Sequence, residues 1–139
     1  MEVQMYKGSC LCGSVKYDVT CELGPVVFCH CSQCRKAQGS PFASNSPIPA
    51  EHFHIVDGQE VLGEYESSPG KKRIFCKRCG SPIISKRDSL PGTVRLRVGT
   101  LDTEAGVKPV AHIYAGSKAP WYEIRDNLPQ YQEKEPGRK

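Results

Sequence analysis

The chain lacks any apolar run close to the roughly 18 residues that a membrane-spanning helix needs, and only 8% of its 139 residues are aromatic. Its first residues, Met-Glu-Val-Gln-Met-Tyr-Lys-Gly, have neither the basic start nor the apolar stretch of a secretory signal. Charged residues make up 24% of the chain and apolar residues 38%, which excludes a disordered composition. These features predict a single domain in the cytoplasm without a membrane partner.

Cysteine, in contrast, is abundant, with eight copies against one Trp and two Met. Without an export signal, clustered cysteines are more often metal ligands than disulfides or redox thiols. Metal-bound cysteines are thiolates, so binding seven of them to two zinc ions would lower the formal charge from +4 to about +1. That change removes most of the compositional case for a nucleic-acid partner.

Short strands separated by turn residues dominate the pattern and predict a mainly β fold. Val15, Tyr17 and Val19 alternate with polar residues, as in a half-buried strand. Further strands are predicted at 26–28, 73–75, 82–85, 94–98 and 110–114, and a hairpin joins 54–56 to 61–62 around Asp57-Gly58. The stretch 39–51, which contains three prolines, is predicted to be a loop.

Helix signals are poor everywhere except at one short segment. Ser32 is the expected N-cap of a helix that extends to Gln38 and ends at Gly39. At the other end of the chain, 132–139 is polar and charged and is predicted to be a flexible tail. The predicted zinc-binding domain therefore spans residues 1–131.

Two cysteine pairs that are far apart in sequence look complementary. Cys10 and Cys12 precede Gly13, and Cys76 and Cys79 precede Gly80. A tight turn aims two sulfurs at one point, and the glycine gives that turn its backbone freedom. Four thiolates would close a tetrahedral zinc site that holds the fold together. A redox pair at Cys76 and Cys79 is disfavoured, because the thioredoxin-like motif needs a βαβ context that the sequence lacks.

A second cluster packs Cys29, Cys31 and Cys34 into six residues at the start of the predicted helix. Three protein ligands with an open fourth position are typical of catalytic zinc, and a thiolate-rich centre suits a substrate thiol better than hydrolysis. Two alternatives remain at this stage: Cys21 as a fourth ligand, which would make the site structural, or His30 as a ligand.

The cysteine pattern leaves two kinds of function open. One is an enzyme whose triad of Cys29, Cys31 and Cys34 holds a metal ion that activates a small substrate thiol. The other is a non-catalytic, zinc-stabilised binding module for nucleic acid or a protein. The binding module is supported by the basic residues around one turn, Lys71-Lys72-Arg73 and Lys77-Arg78, which lack the interleaved aromatics of a base-stacking surface.

The chain resembles the glutathione-dependent formaldehyde-activating enzyme family, which shares its domain with centromere protein V. The resemblance covers residues 6–125 and rests on these segments: Gly8-Ser-Cys-Leu-Cys-Gly-Ser-Val15, Cys29-His-Cys-Ser-Gln-Cys-Arg-Lys36, Phe75-Cys-Lys-Arg-Cys-Gly80, His112-Ile-Tyr114 and Ser117-Lys-Ala-Pro-Trp121. It implies a β-tent (Mss4-like) fold of short antiparallel strands around zinc, with one short helix.

The resemblance also implies roles for residues. Cys10, Cys12, Cys76 and Cys79 would bind a structural zinc, and Cys29, Cys31 and Cys34 a catalytic one, with no role for Cys21. The implied activity is a carbon–sulfur lyase that reversibly adds glutathione to formaldehyde. Glutathione carboxylates need cationic partners, for which the candidates are Arg35, Lys36, Arg95, Arg97 and Lys118. His112 is either a packed core residue or a proton-transfer group, and Trp121 is expected in the core or a pocket wall.

Overall fold

A computed structural model describes residues 5–136 of the chain. Ten strands account for most of its regular structure: β1 (Tyr6–Ser9), β2 (Lys16–Val19), β3 (Val26–Cys29), β4 (Ala43–Pro49), β5 (Phe53–Asp57), β6 (Leu62–Ser68), β7 (Lys71–Cys76), β8 (Pro82–Arg87), β9 (Thr93–Arg97) and β10 (Pro109–Ile113). One α-helix is present in this part of the chain, α1 (Ser32–Gln38). The predicted mainly β fold with one short helix is confirmed.

The strands form two sheets. A three-stranded sheet has the order β1-β2-β5, and a seven-stranded sheet has the order β10-β3-β4-β9-β8-β7-β6. All pairs are antiparallel except that of β10 with β3, which is parallel. This pair brings the C-terminal strand next to the strand that ends at Cys29.

The hairpin predicted around Asp57-Gly58 is wrong. Its two strands form, but β5 pairs with β2 in the small sheet, whereas β6 pairs with β7 in the large one. Gly58 adopts φ 87°, and a Cβ there would lie 2.2 Å from the carbonyl oxygen of Ser14. The glycine therefore serves a crossing between sheets rather than a hairpin turn.

The loop predicted over residues 39–51 is also wrong, because β4 lies inside it as a central strand of the large sheet. Proline normally avoids such a strand, since it cannot donate a ladder hydrogen bond. Here β3 pairs only with residues Ala43 to Asn45, so β9 is the one strand within residues 5–136 that pairs with Pro47 and Pro49. Edge positions of this kind tolerate proline.

Two apolar clusters fill the interior. The larger contains Tyr6 and Tyr17 from the small sheet together with Ile48, Ile83 and Leu96 from the large one, so it joins the two sheets. The smaller cluster lies under β3 and β10 and includes two of the cysteines; its members are Val27, Cys29, Cys34, Ala43, Ala111 and Ile113. The second cysteine cluster is therefore packed into an apolar layer.

Residues 129–133 lie beside β10 and run parallel to it. Tyr131 donates its backbone N–H to the His112 carbonyl, and the Glu133 carbonyl accepts from Tyr114, each at 2.9 Å. The predicted tail 132–139 is thus hydrogen-bonded at its first residues, while 137–139 lie outside the described part, and its flexibility stays a prediction. Within residues 5–136, none of the helices is both long and apolar enough to cross a membrane.

Candidate metal centres and active site

Two similar turns present the four cysteines of the first cluster. Cys10 follows β1, and the Gly13 N–H donates to its carbonyl at 3.0 Å. Cys76 ends β7, and the Gly80 N–H donates to its carbonyl at 2.7 Å. Both glycines have a positive φ, 80° and 82°, which other residues adopt at a cost. The cluster therefore joins a turn of the small sheet to a turn of the large one.

The sulfur positions fit a tetrahedral metal ion. The Sγ atoms of Cys10, Cys12, Cys76 and Cys79 all lie within 4.8 Å of one another. The Cys10–Cys12 separation is 3.6 Å and the Cys12–Cys76 separation is 3.9 Å. Four sulfurs at about 2.3 Å from one zinc ion would be about 3.8 Å apart. The predicted grouping of these residues is therefore present, and the cluster can hold a metal ion.

Hydroxyl groups beside this cluster favour its thiolates. Ser81 Oγ lies 3.3 Å from Cys79 Sγ, and this contact is the main cause that lowers the pKa of Cys79 to about 5. Ser14 does the same for Cys12, whose pKa is also lowered. Ser81 Oγ in addition accepts the Leu11 backbone N–H at 2.8 Å, so it links the two turns directly.

The second cluster forms where β3 runs into α1. Cys29 is the last residue of β3, Cys34 lies in the first turn of the helix, and Cys31 is the N-cap. The N-cap is thus Cys31 rather than the predicted Ser32: the Cys34 N–H donates to Cys31 Sγ at 3.3 Å. The three sulfurs lie within 4.8 Å of one another, so the short helix gathers them on one side of its first turn.

The environment of this triad stabilises one thiolate in particular. Hydrogen bonds from Cys29 and then Cys31 lower the pKa of Cys34, and the charges of Arg97 and Arg73 lower it further. The same sulfur–sulfur hydrogen bonds raise the pKa of Cys29, which is a donor in them. The triad can thus hold negative charge even within the apolar layer.

Neither alternative fourth ligand joins the triad. Among the described residues, no further His, Cys, Asp or Glu lies within the same distance of all three sulfurs. Cys21 packs against the larger apolar cluster instead. His30 is fully buried and directs its Nε2 atom to His112 Nδ1, 2.8 Å away. Cys29, Cys31 and Cys34 are therefore the donors that this part of the chain groups at the triad, and their role as metal ligands stays a prediction.

A hydrogen-bonded chain of three side chains supports the turn between Cys29 and Cys31. His112 links His30 to Asp126, whose carboxylate lies 2.9 Å from His112 Nε2. Burial, followed by the charge of His112, lowers the pKa of His30 to about 4. An irregularity between Pro109 and Ala111 changes which side chains of β10 face inward, so Val110 is exposed and His112 is buried. Sequence reasoning did not identify Asp126.

A cavity of about 310 Å³ opens beside the triad. Its polar lining includes three basic residues and no carboxylate; the full set is Cys29, Cys31, Ser32, Gln33, Cys34, Asn45, Ser68, Lys71, Arg87, Arg95, Ile113, Tyr114 and Ser117. Burial, together with the charge of Arg73, lowers the pKa of Lys71 to about 8. The cavity therefore suits an anion with a sulfur that could reach the triad.

Comparison with known proteins now identifies the family. Residues 5–117 match the sequence profile described as glutathione-dependent formaldehyde-activating enzyme. The chain belongs to this family. It is 36% identical over 78 residues to a Schizosaccharomyces pombe protein named as an uncharacterised lyase, a match that covers 56% of this chain. The chain spans only about half of that relative's length, 55%.

A solved structure has a similar fold. The crystal structure of a Rhodobacter sphaeroides protein superimposes with a TM-score of 0.60 at 31% sequence identity. The alignment covers 74% of this chain and 91% of that one. With the two sheets and the cysteine clusters described above, this likeness confirms the predicted β-tent fold class.

The basic residues expected to bind glutathione in this family member are only partly the ones that line the cavity. Arg95 lines it, whereas Arg35, Lys36, Arg97 and Lys118 are not among its lining residues. Lys118 instead donates to the carbonyl groups of Ala119 and Tyr122. Trp121, expected in the core or a pocket wall, is 70% exposed.

Lys71 and Arg87 were missed because strand register, not spacing, brings them together. They are paired across β7 and β8. Lys71 belongs to the basic run that had supported a binding module, but the run is divided: Lys72 pairs with Asp88 at 3.6 Å, and Arg73 is buried. The three side chains do not form one surface patch.

Proposed function

We propose that this protein is a zinc-dependent carbon–sulfur lyase that reversibly adds a small anionic thiol, such as glutathione, to an aldehyde such as formaldehyde. The observation that carries the proposal is the cysteine triad, which no fourth His, Cys, Asp or Glu joins among residues 5–136, at a cavity lined by three basic residues and no carboxylate. Family membership and the lyase name of the yeast relative support this class of reaction.

We assign Cys10, Cys12, Cys76 and Cys79 to a structural zinc and Cys29, Cys31 and Cys34 to a catalytic one, giving two ions per chain. Thiolate donors favour borderline and soft metals, zinc among them, over hard cations such as magnesium and calcium. At the triad, zinc would hold the incoming thiol as its thiolate, which is the nucleophilic form. The four-cysteine site leaves no position for a substrate.

The lining of the cavity supplies the remaining functions. Arg87 and Arg95 line the cavity, and guanidinium groups can bind the carboxylates of a peptide thiol in pairs of hydrogen bonds. In the reaction, the thiol sulfur forms a bond to the aldehyde carbon, and the proton lost from sulfur ends on the former carbonyl oxygen. Lys71 Nζ, whose pKa is about 8, can deliver that proton inside the cavity.

Three cysteine variants test the proposal. We expect the wild-type protein to contain two zinc ions and to accelerate formation of S-hydroxymethylglutathione above the spontaneous rate. Cys31→Ser should retain one zinc ion and the fold but lose at least about tenfold of the acceleration, because one ligand beside the substrate thiol is gone. Cys21→Ser, which changes a cysteine outside both clusters, should behave like the wild type.

The measurements are elemental analysis, circular dichroism and the initial rate at several glutathione concentrations. A Cys31→Ser protein with the wild-type rate would contradict the role of the triad. A wild-type protein that does not accelerate adduct formation with any small thiol would contradict the lyase function itself.

A further inference from the structure

Within the described part of the chain, two buried arginines close to the triad have no carboxylate partner. Arg73 lies on β7 and is 9% exposed; Arg97 lies on β9 and is 3% exposed. The ion pairs found within residues 5–136 include neither of them. Burying a guanidinium without a counter-charge is costly, so an anion is expected nearby.

Their contacts lead to the triad. Arg73 Nη2 lies 3.9 Å from Cys34 Sγ and 3.4 Å from Gln33 Oε1, while its Nε donates to Ser67 Oγ at 3.0 Å. Arg97 donates from Nη1 to the Arg95 carbonyl at 3.3 Å and interacts electrostatically with Cys34 and Cys29. One nitrogen of each, Arg73 Nη1 and Arg97 Nε, is buried without a hydrogen-bond partner in the described part of the chain.

The charges of this arrangement favour one kind of fourth ligand. A dication with three thiolates carries a net charge of −1, and a fourth thiolate brings it to −2. Two guanidinium groups neutralise that charge, whereas with a neutral fourth ligand they leave an excess of one positive charge. In a site of low dielectric, an uncompensated charge is disfavoured more strongly than in water.

Building on the proposed function, we infer that Arg73 and Arg97 are positioning residues whose charge makes the metal-bound triad select a thiolate over a neutral ligand. The selectivity then depends on the positive charges behind the triad as well as on the cavity in front of it. This role requires the charge of Arg73 and not only its shape.

The test uses cobalt(II)-loaded protein, two small ligands and four variants. The thiol is 2-mercaptoethanol, which has no carboxylate to contact the cavity cations, and the neutral ligand is imidazole. We expect Arg73→Met to weaken thiol binding about tenfold, with imidazole affinity unchanged within about twofold. Arg73→Lys should keep the wild-type preference, and so should Lys72→Met, the control in the neighbouring strand position.

Thiolate-to-cobalt charge-transfer absorption reports binding of the thiol, and the ligand-field bands report imidazole. If the wild-type protein binds the thiol and Arg73→Met keeps the same thiol-to-imidazole ratio, the inference is overturned while the proposed function stands. If the wild-type protein binds no thiol at all, the proposed function fails first.

Arg73→Gln provides a second uncharged variant that retains hydrogen-bond donors. A loss of preference in this variant also supports a role of charge. If neither uncharged variant loads cobalt at the triad but Arg73→Lys does, the positive charge holds the metal ion itself rather than selecting its fourth ligand, and the inference is overturned. If Arg73→Lys fails together with both of them, the requirement is one of shape and the inference is overturned.

Discussion

His30 illustrates how a single buried residue couples the site to pH. Its side chain is inaccessible to solvent, and burial lowers its pKa to about 4. In the unfolded chain a histidine accepts a proton near pH 6.5. Because the folded state binds that proton only at lower pH, this contribution to stability is complete above pH 6.5 and is lost as the pH falls from 6.5 to 4.

We therefore expect the free energy of unfolding to decrease more steeply with falling pH in the wild type than in His30→Asn. The difference between the two slopes should correspond to the uptake of at most about one additional proton on unfolding of the wild type. Urea titrations of zinc-saturated protein at pH 7, 6 and 5 measure this difference, and metal release at low pH is common to both proteins. His54→Asn, which changes an exposed histidine, should keep the wild-type slope. Equal slopes for the wild type and His30→Asn would contradict the prediction.

At this scale the cysteines could be predicted and their neighbours could not. Ligand pairs separated by one or two residues are local features, so the spacing of Cys10 with Cys12, or of Cys76 with Cys79, is visible in the sequence. Asp126 reaches His112 through the fold, and it has no local pattern. The sequence showed Lys71 only as part of a basic run, because its pairing with Arg87 across β7 and β8 depends on the tertiary structure.

Residues 129–133 are hydrogen-bonded to β10 and to the residues that follow it. His112 donates its backbone N–H to the Pro129 carbonyl, and Tyr131 donates to the His112 carbonyl. The carbonyl of Tyr131 accepts from Ala115, and its ring packs against the apolar cluster that holds two triad cysteines. β10 is thus secured on one side by β3 and on the other by this segment.

We expect a chain that ends at Pro129 to be less stable than one that ends at Glu133 by about 2 kcal/mol or more, since several backbone hydrogen bonds and the Tyr131 ring are lost. Thermal unfolding of the two truncated proteins and the full chain measures the difference. The Glu133 end retains all of the backbone bonds named above and is the matched control. If the two truncated proteins have the same thermal unfolding midpoint, the segment does not stabilise β10.

The elements that were wrongly predicted share one cause. Strands at 54–56 and 61–62 were found by their pattern, but pairing depends on sheet membership, and the two strands belong to different sheets. The prolines in β4 indicated a loop rather than a strand. The strand can accommodate them because β3 stops pairing at Asn45, before the first of them. Period and turn residues identify an element, whereas its partners are set by tertiary structure.

At the scale of the whole molecule, the four-cysteine cluster joins the two sheets across a long stretch of sequence. Cys12 and Cys76 are 64 positions apart, yet their sulfurs are 3.9 Å from each other. A zinc ion in such a site contributes roughly 10–16 kcal/mol of apparent binding free energy, compared with about 5–15 kcal/mol for the net stability of a domain. The fold should therefore depend on this ion and not on the one at the triad.

We expect a chelator to remove zinc in two steps. The first equivalent should leave from the triad, which offers three protein donors, without loss of the far-ultraviolet circular dichroism signal. The second should leave from the cluster of four only as the sheets unfold, because its release separates them. A colorimetric zinc indicator and circular dichroism, recorded on the same titration, measure the two processes.

Two variants assign the steps to their sites. Cys34→Ser should remove the first step and leave the second, whereas Cys79→Ser should give a protein without a stable fold, since Cys79 belongs to the cluster that joins the sheets. Loss of structure with the first equivalent, or a folded Cys79→Ser protein with one zinc ion, would mean that the triad contributes to the fold as much as the four-cysteine cluster. The assignment of a structural role to one centre and a catalytic role to the other would then be wrong, and the triad would be a second structural site.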